Sequence, residues 1–410
     1  MPPLTIISTA IIVWFAAAGL VTWYRFRKRL TALWREPVLR FPVLIIESDD
    51  WGPGPDEHAQ ALQRLSRLLA GFRDKHGRHA VMTLGMVLAV PDTNAMRKSG
   101  LRTYHRLPLS DPRFTAIREA IASAVDAGVF APQLHGMEHY WPPAVVSQAQ
   151  AAGTIRGWLT QDELPNSEKL PPPLQSRWAD CSELPSKPIS DDAIAAAVGE
   201  EVAAFTELFG GCPEVVVPPT FLWNDVTERA WAKAGVQILV TPGARFEARN
   251  ARGVLNPSSR NILNAERGQE GIIYMVRDDY FEPAKGHRAE RAIAAVVRKT
   301  ARGRPTLLET HRFNFTGAPE MAKQATNELA RMLEEVLKRF PDVWFVSTAQ
   351  LAKQLVSRSP ELVETRLLPR MRVWLLRAGD VSGLRRFVAL TGLALLLFVV
   401  WAVVLTQAGR

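Results

Sequence analysis

The sequence predicts an α/β fold, best matched by a distorted (β/α) barrel flanked by N- and C-terminal transmembrane helices. Three observations carry this reading. Between about residues 41 and 355, short apolar runs alternate with amphipathic helical patterns, the order expected of strands joined by helical crossovers. Roughly eight such runs suit a barrel better than an open sheet. Near each end of the chain lies an almost uncharged apolar run of about twenty residues, long enough to cross the hydrocarbon of a bilayer.

In chain order, residues 4–24 form the first apolar run, with Trp14, Trp23 and Tyr24 among them. No basic residue precedes it, which favours an uncleaved anchor over a signal peptide. Pro42 to Glu47 is a continuous apolar strand suited to burial on both faces. Asp56 to Phe72 is a helix with Leu62, Leu65, Leu69 and Phe72 on one stripe. Ala80 to Val90 is the second strand. Ser110-Asp111-Pro112 opens a helix that runs to about Ala127. Val129 to Leu134 is the third strand, and the Pro-, Ser- and Trp-rich stretch from Pro142 to Pro188 is an inserted loop region. A helix capped by Ser190 runs to Phe209 and is closed by Gly210 and Gly211. Later strands are Glu214 to Val217, Val236 to Thr241, Gly271 to Val276, Thr306 to Glu309 and Val343 to Ser347, with a long helix from Ala318 to Phe340. Residues 366–378 mix Leu, Val and Trp with Arg; they suit an amphipathic segment on the membrane surface or a linker helix packed on the domain. Residues 387–405 form the second apolar run.

The net charge of +9 calls for an acidic partner. The cations cluster beside the apolar runs: Arg25, Arg27, Lys28 and Arg29 after the first, and Arg370, Arg372, Arg377, Arg385 and Arg386 before the second. That placement assigns the charge to anionic lipid headgroups rather than to nucleic acid. Positive residues stay on the cytoplasmic side, so the expectation is a multi-pass protein of the inner (cytoplasmic) membrane, its central domain facing the cytoplasm and both termini outside. Cys181 and Cys212 lack metal-site spacing and read as ordinary thiols.

Three polar clusters follow strand candidates: Glu47-Ser48-Asp49-Asp50-Trp51-Gly52, His135-Gly136-Met137-Glu138-His139 and Glu309-Thr310-His311-Arg312. Active sites of α/β barrels gather at the carboxyl ends of strands, so clusters distant in sequence can converge. Two imidazoles four residues apart lie on one face of a helical turn and can chelate one ion; a carboxylate completes a three-ligand site with room for water. A second carboxylate beside it can take a proton from that water, and a separate imidazole can protonate a leaving amine. Asp50, His135, His139, Asp49 and His311 match those roles in number and type. Each cluster alone has a bland reading: paired Asp residues often cap turns, and a lone His-x-x-x-His is common. The remaining histidines, His58, His76, His79, His105 and His287, lie in polar or basic surroundings and read as surface residues.

At these residues the chain resembles the NodB-homology polysaccharide deacetylases, which carry an Asp-Asp pair after the first strand, a His-x-x-x-His motif and a late Leu-x-His motif. It resembles more closely a bacterial branch marked by ESDDWG, FxPQxHGxEH and HRxNxxG, which here read Glu47 to Gly52, Phe130 to His139 and His311 to Gly317. Tyr280-Phe281-Glu282-Pro283 also fits that branch, and the likeness spans about residues 41 to 355. The resemblance implies a divalent metal, commonly zinc, held by Asp50, His135 and His139, with Asp49 as general base and His311 as general acid. The chain departs from the family in two places. No Arg stands in Val217 to Trp223 to orient Asp49, for which Arg277 or Arg312 can substitute, and Glu309 replaces the usual apolar residue two before His311. Trp51, Trp223, Arg277 and Arg312 are candidate substrate-binding residues. The leading expectation is a hydrolase of carbon–nitrogen (amide) bonds that removes an N-acyl group from an amino sugar of a polysaccharide or lipid-linked precursor. The alternatives are a non-catalytic glycan-binding scaffold on the same barrel and a glycosidase using Glu47, Glu138 or Glu309.

Overall fold

The computed structural model describes residues 3–151, 153–257 and 261–394. It opens with helix α1 (Pro3–Arg35), followed by strand β1 (Val43–Trp51), α2 (Asp56–Ala70), β2 (Met82–Met86), the short β3 (Ala89–Pro91), α3 (Thr93–Lys98) and β4 (Arg106–Pro108). Then come α4 (Thr115–Asp126), β5 (Phe130–Leu134), α5 (Pro142–Ala151), α6 (Gly153–Thr160), α7 (Asp191–Phe209), β6 (Val215–Val216), α8 (Asp225–Lys233) and β7 (Ile238–Thr241). The chain continues through β8 (Phe246–Arg249), β9 (Leu255–Pro257), β10 (Ile273–Val276), β11 (Asp279–Tyr280), α9 (Ala289–Ala301), β12 (Thr306–His311), α10 (Phe313–Thr316), α11 (Pro319–Arg339) and β13 (Trp344–Phe345). Helices α12 (Thr348–Ser357), α13 (Leu367–Ala378) and α14 (Leu384–Leu390) complete it.

Nine strands make one sheet in the order β10-β7-β6-β5-β2-β1-β12-β11, with β13 added at the base of β1; every pairing in it is parallel. Its two edges, β10 and β11, are separated in the chain by Arg277 and Asp278 alone. Three Cα-to-Cα steps span at most about 11 Å. The sheet must therefore curl until its edges almost meet, which makes it a distorted (β/α) barrel with an unpaired seam.

Strand parity builds the layers. Val43 and Ile45 of β1, Leu307 of β12, Val215, Ile238, Val240, Ile273 and Met275 join Leu351 and Leu355 of α12 in one apolar cluster at the base of the barrel. Leu44, Ile46, Met82, Leu84 and Leu308 instead join the packed faces of the surrounding helices. On β1 the column Val43, Ile45, Glu47, Asp49 thus passes from an apolar base to acids near the mouth. Local signals fix the helices: Ser190 caps α7 at the Ala193 N–H and Gly210 ends it in the left-handed region, while Ser347 and Gln350 form a capping box on α12.

Several boundaries differ from the sequence expectation. Strand β1 runs four residues past Glu47, through Asp49 and Asp50, and β12 includes His311, so these groups sit within strand ends rather than after them. The second strand breaks into β2 and β3 because the chain leaves the sheet at Val87. The 142–188 region holds α5 and α6 as well as loop: Val145, Ile155, Trp158 and Leu159 give it an apolar face that packs on the main core. Asp111 caps a 3-10 turn at Pro112–Phe114 before α4 begins. Among the described residues one helix, spanning Ile7–Arg35, is long and apolar enough to cross a membrane. Of the run expected at 387–405, residues 395–405 lie outside the described residues.

Segment 366–378 is the helix α13, packed against the second half of α1: Trp374 Nε1 donates to Leu30 O at 2.9 Å, and Trp34 and Trp374 meet edge-on at 6.2 Å. Arg377 is fully buried and donates to the carbonyls of Glu36, Pro37, Arg302 and Gly303.

Candidate metal and acid–base site

Consecutive residues on a flat strand face opposite sides of the sheet, so Asp49 and Asp50 should not share a site. A bulge resolves this. The β1–β2 register shifts between Ser48 and Trp51, and Asp50 takes φ +69°, a conformation a non-glycine residue adopts only where the surroundings impose it. The turn re-aims Asp50 beside the column that carries Asp49. Gly85 on β2 is required by the same crowding: a Cβ there would lie 2.4 Å from Asp49 Oδ1.

Asp50, His135 and His139 each present a donor atom, and the three donors lie within 4.8 Å of one another. Asp50 Oδ1 is 3.4 Å from His135 Nε2 and 3.5 Å from His139 Nε2. The two imidazoles do not ride on a helical turn as expected; residues 137–140 form a bend. It pivots on Gly136 at φ +103°, where a Cβ would lie 2.8 Å from Glu138 O. Their rings end 4.9 Å apart.

The donor set fits a divalent ion. His135 Nδ1 lies 2.7 Å from Val217 O; a carbonyl can only accept, so Nδ1 carries the proton and Nε2 offers a lone pair. Burial holds His139 down to about 4, hence neutral. Asp50 stays ionised despite its burial, held far below the usual carboxylate range by His139, His135 and His311. Its Oδ1 is buried with no hydrogen-bond partner, an orphaned charge of the kind a cation satisfies. Two neutral imidazoles and one carboxylate are a borderline-soft set suited to zinc or a similar metal.

Beside these donors, Arg277 fills the seam between β10 and β11. It is fully buried and surrounded by three carboxylates: Nη2 is 2.5 Å from Asp49 Oδ2, Nη1 is 3.1 Å from Glu47 Oε2, and Nε is 3.2 Å from Glu309 Oε2. Burial pushes the Glu47 and Glu309 carboxyls up. Burial works against Asp49 too, but the Arg277 guanidinium on both its oxygens brings it below the usual range. Asp49 is thus the carboxylate of this cluster that ionises most readily. Glu47 is also hydrogen-bonded by the Thr348 hydroxyl.

His311 stands opposite Asp49 in the parallel β1–β12 register. Its Nδ1 lies 2.5 Å from Glu282 Oε1, and although burial opposes it, that hydrogen bond first and the nearby Asp50 charge next push the imidazole up to about 10. Asn314 holds Glu282 from the other side, donating to it and to Thr310 Oγ1. Phe313 stacks beside His311 at 5.6 Å.

Sequence reasoning singled out Asp49, Asp50, His135, His139 and His311, and the fold brings all five together. The substrate-binding expectations fare differently. Trp51 and Trp223 are fully buried, their indole N–H groups donated to Ser48 Oγ and Glu228 Oε2; neither offers a face to a ligand. Arg277 is buried among carboxylates and orients Asp49. Arg312 is 3.2 Å from Glu168 Oε1, a carboxylate whose field is felt by Asp50 and His311. His58, expected at the surface, is buried edge-on to Trp51, and burial lowers it to about 3. Glu282, Glu168 and the Val217 carbonyl were not assigned roles from sequence. Of these Glu282 carried a signal, an acid directly after a strand in Tyr280-Phe281-Glu282-Pro283.

No family model and no curated protein matches the chain. Among solved structures it is similar to a protein assigned as a polysaccharide deacetylase from Mycobacterium smegmatis, at 13% identity over 80% of this chain and 93% of that one, with a TM-score of 0.39. A family 4 acetyl xylan esterase from Clostridium thermocellum, in complex with a cobalt ion, gives 13% identity, 76% and 90% coverage and a TM-score of 0.36. The 4-alpha-glucanotransferase from Thermococcus litoralis gives 8% identity and a TM-score of 0.41 over 78% of this chain; the match spans 40% of that enzyme. At such identities and scores the likenesses decide no activity, and the functional reading rests on the site.

Proposed function

We propose that the chain is a metal-dependent hydrolase that removes an N-acyl group, such as acetyl, from an amino sugar. The observation that carries the reading is the meeting of a three-donor cluster (Asp50, His135, His139) with an ionised carboxylate and a protonated imidazole. A divalent cation on those donors would supply Lewis acidity, acidifying water and polarising an acyl carbonyl. Asp49, kept ionised by Arg277, accepts the proton of the attacking water. His311, kept protonated by Glu282, gives its proton to the leaving amine, which would otherwise depart as a poor anionic leaving group. The buried walls exclude bulk water and strengthen both electrostatic effects.

The glycosidase alternative needs two carboxyls free to flank a bond. Glu47 and Glu138 are fully buried and committed to arginines, which disfavours it. The non-catalytic scaffold is separated by one substitution. Asp49→Asn should lower kcat for acetate release from N-acetylated chitooligosaccharides by more than about 100-fold, while metal content measured by mass spectrometry stays at the wild-type level. Unchanged turnover, or no turnover by the metal-loaded wild type across acylated amino sugars, sinks the hydrolase reading.

We further read α1 as a membrane anchor with the cations Arg25 to Arg29 on the cytoplasmic side. Residues 387–405 are proposed as a second crossing. The apolar side chains Ile7, Ile11, Ile12, Val13, Trp14, Leu20 and Val21 are at least half exposed, a surface that water disfavours and lipid accepts.

A further inference from the structure

We propose that Glu309 accepts a hydrogen bond from the N–H of the scissile amide, and that this contact makes the site selective for N-acyl over O-acyl sugars. The proposal rests on the hydrolase reading above and adds a residue to it. On β12 the column Leu307, Glu309, His311 runs in register with Ile45, Glu47, Asp49 of β1. Leu307 and Ile45 belong to the apolar cluster at the base of the barrel, and side chains two apart on a strand share a face. Glu309 therefore points into the barrel one step beneath His311.

The Glu309 side chain is 8% exposed, yet among the described residues neither of its oxygens accepts a hydrogen bond. Oε2 lies 3.2 Å from Arg277 Nε, but both atoms are buried without a hydrogen-bond partner. They are neighbouring charges out of line with each other. The hydrogen bonds of Arg277 go instead to Asp49 and Glu47. A buried carboxyl with spare acceptor sites calls for a partner. Oε1 stands 3.9 Å from His311 Nε2. Because His311 Nδ1 is taken by Glu282, Nε2 is the nitrogen that meets the substrate.

The leaving nitrogen must lie about 2.9 Å from His311 Nε2 to take its proton. Once water has added to the carbonyl carbon, that nitrogen is tetrahedral, with one hydrogen and one lone pair. The lone pair faces His311, so the hydrogen needs an acceptor in a second direction. Two partners each about 2.9 Å from such a nitrogen stand roughly 4–5 Å apart. The 3.9 Å between His311 Nε2 and Glu309 Oε1 lies at the near edge of that range. Holding the N–H turns the lone pair toward His311. Asp49 takes one proton from water, the C–N bond breaks, and the His311 proton completes the amine; Glu309 gains and loses none. An ester presents an oxygen at this position, with no hydrogen for Glu309 to accept, so the contact is lost.

The test compares acetate release by the full-length, metal-loaded protein from chitotetraose and from 2-O-acetylated cellotetraose, which differ at the leaving atom. Glu309→Leu should lower the amide-to-ester ratio of kcat/KM about 10–100-fold. Glu309→Gln, which keeps an acceptor oxygen, should hold that ratio within about threefold of the wild type. An unchanged ratio in Glu309→Leu, or an equal fall in Glu309→Gln, overturns the assignment. Should Glu309→Leu fail to fold, Glu309→Asp keeps the charge beside Arg277 but withdraws the oxygen by one methylene. It should lower the ratio in the same direction, and an unchanged ratio there is equally fatal. Ratios cancel the greater intrinsic reactivity of esters and any uniform loss of folded protein. A wild type that releases acetate from neither compound removes the hydrolase reading itself. Amide turnover with a ratio indifferent to Glu309 removes only the role given to this residue.

Discussion

Arg277 shows how one side chain can set the charge of several others. Asp49, Glu47 and Glu309 would repel one another in a buried space; the guanidinium at 2.5 to 3.2 Å from each removes that repulsion. Bidentate contact falls to Asp49 and holds its carboxyl below the usual range, while burial pushes those of Glu47 and Glu309 up. Replacing Arg277 with Met should destabilise the protein by about 3–5 kcal/mol, because the three carboxylates lose their common partner, and denaturant unfolding measures this. Arg277→Lys should restore much of the stability but less of kcat, since an ammonium cannot hold both Asp49 oxygens in one plane. Equal recovery of both would mean that only the charge matters. The sequence left Arg277 and Arg312 as alternatives for orienting Asp49, because Arg277 lies 228 residues from Asp49 and only the fold brings the two together.

The loop after β5 owes its shape to partners that do not touch the donor cluster. Glu138, between the two histidines, turns away into full burial and is held by Arg177 at 2.8 Å and Arg106 at 2.8 Å. Arg177 also grips Glu201 of α7 at 3.0 Å, and Glu201 in turn accepts the Met137 N–H and the Trp231 indole N–H. The 142–188 insertion, which supplies Arg177, is therefore part of the scaffold of the site. We expect Arg177→Met to weaken zinc affinity about 10–100-fold in a chelator competition, with Arg177→Lys recovering part of it. A variant that folds and binds zinc as tightly as the wild type would show that the loop holds its own shape. The bulge in β1 acts at the same scale, giving two adjacent acids a common face without lengthening the strand.

Across the whole molecule, two separate sets of charged groups organise the barrel. Acids and imidazoles line the strand ends, while Glu36, Arg304 and Arg377 knit α1, α13 and the barrel base together. Burial opposes ionisation of Glu36, yet Arg377 and Arg304 lower its pKa below the usual carboxylate value. A depressed carboxyl contributes stability that is present above its unfolded pKa, about 4.3, and is lost as pH falls through the lower folded value. Melting of the full-length protein in detergent should thus drop on acidification below about pH 4.3 more steeply for the wild type than for Glu36→Gln. A constant gap between the two from pH 6 to pH 3.5 would rule out this ion cluster as the cause.

The sequence by itself determined the alternation of strands and helices, the apolar helix at the N-terminus, and the candidate donors and acid–base pair. These rest on periodicity and on polar residues placed at strand ends, both local properties. The tertiary structure alone decided which groups face each other. It turned Asp50 through the β1 bulge, assigned Arg277 to Asp49 across the seam, gave His311 to Glu282, and buried Trp51, Trp223 and His58. Those outcomes depend on pairings between residues far apart in the chain, whose contact is fixed only when the sheet curls on itself and its edges meet.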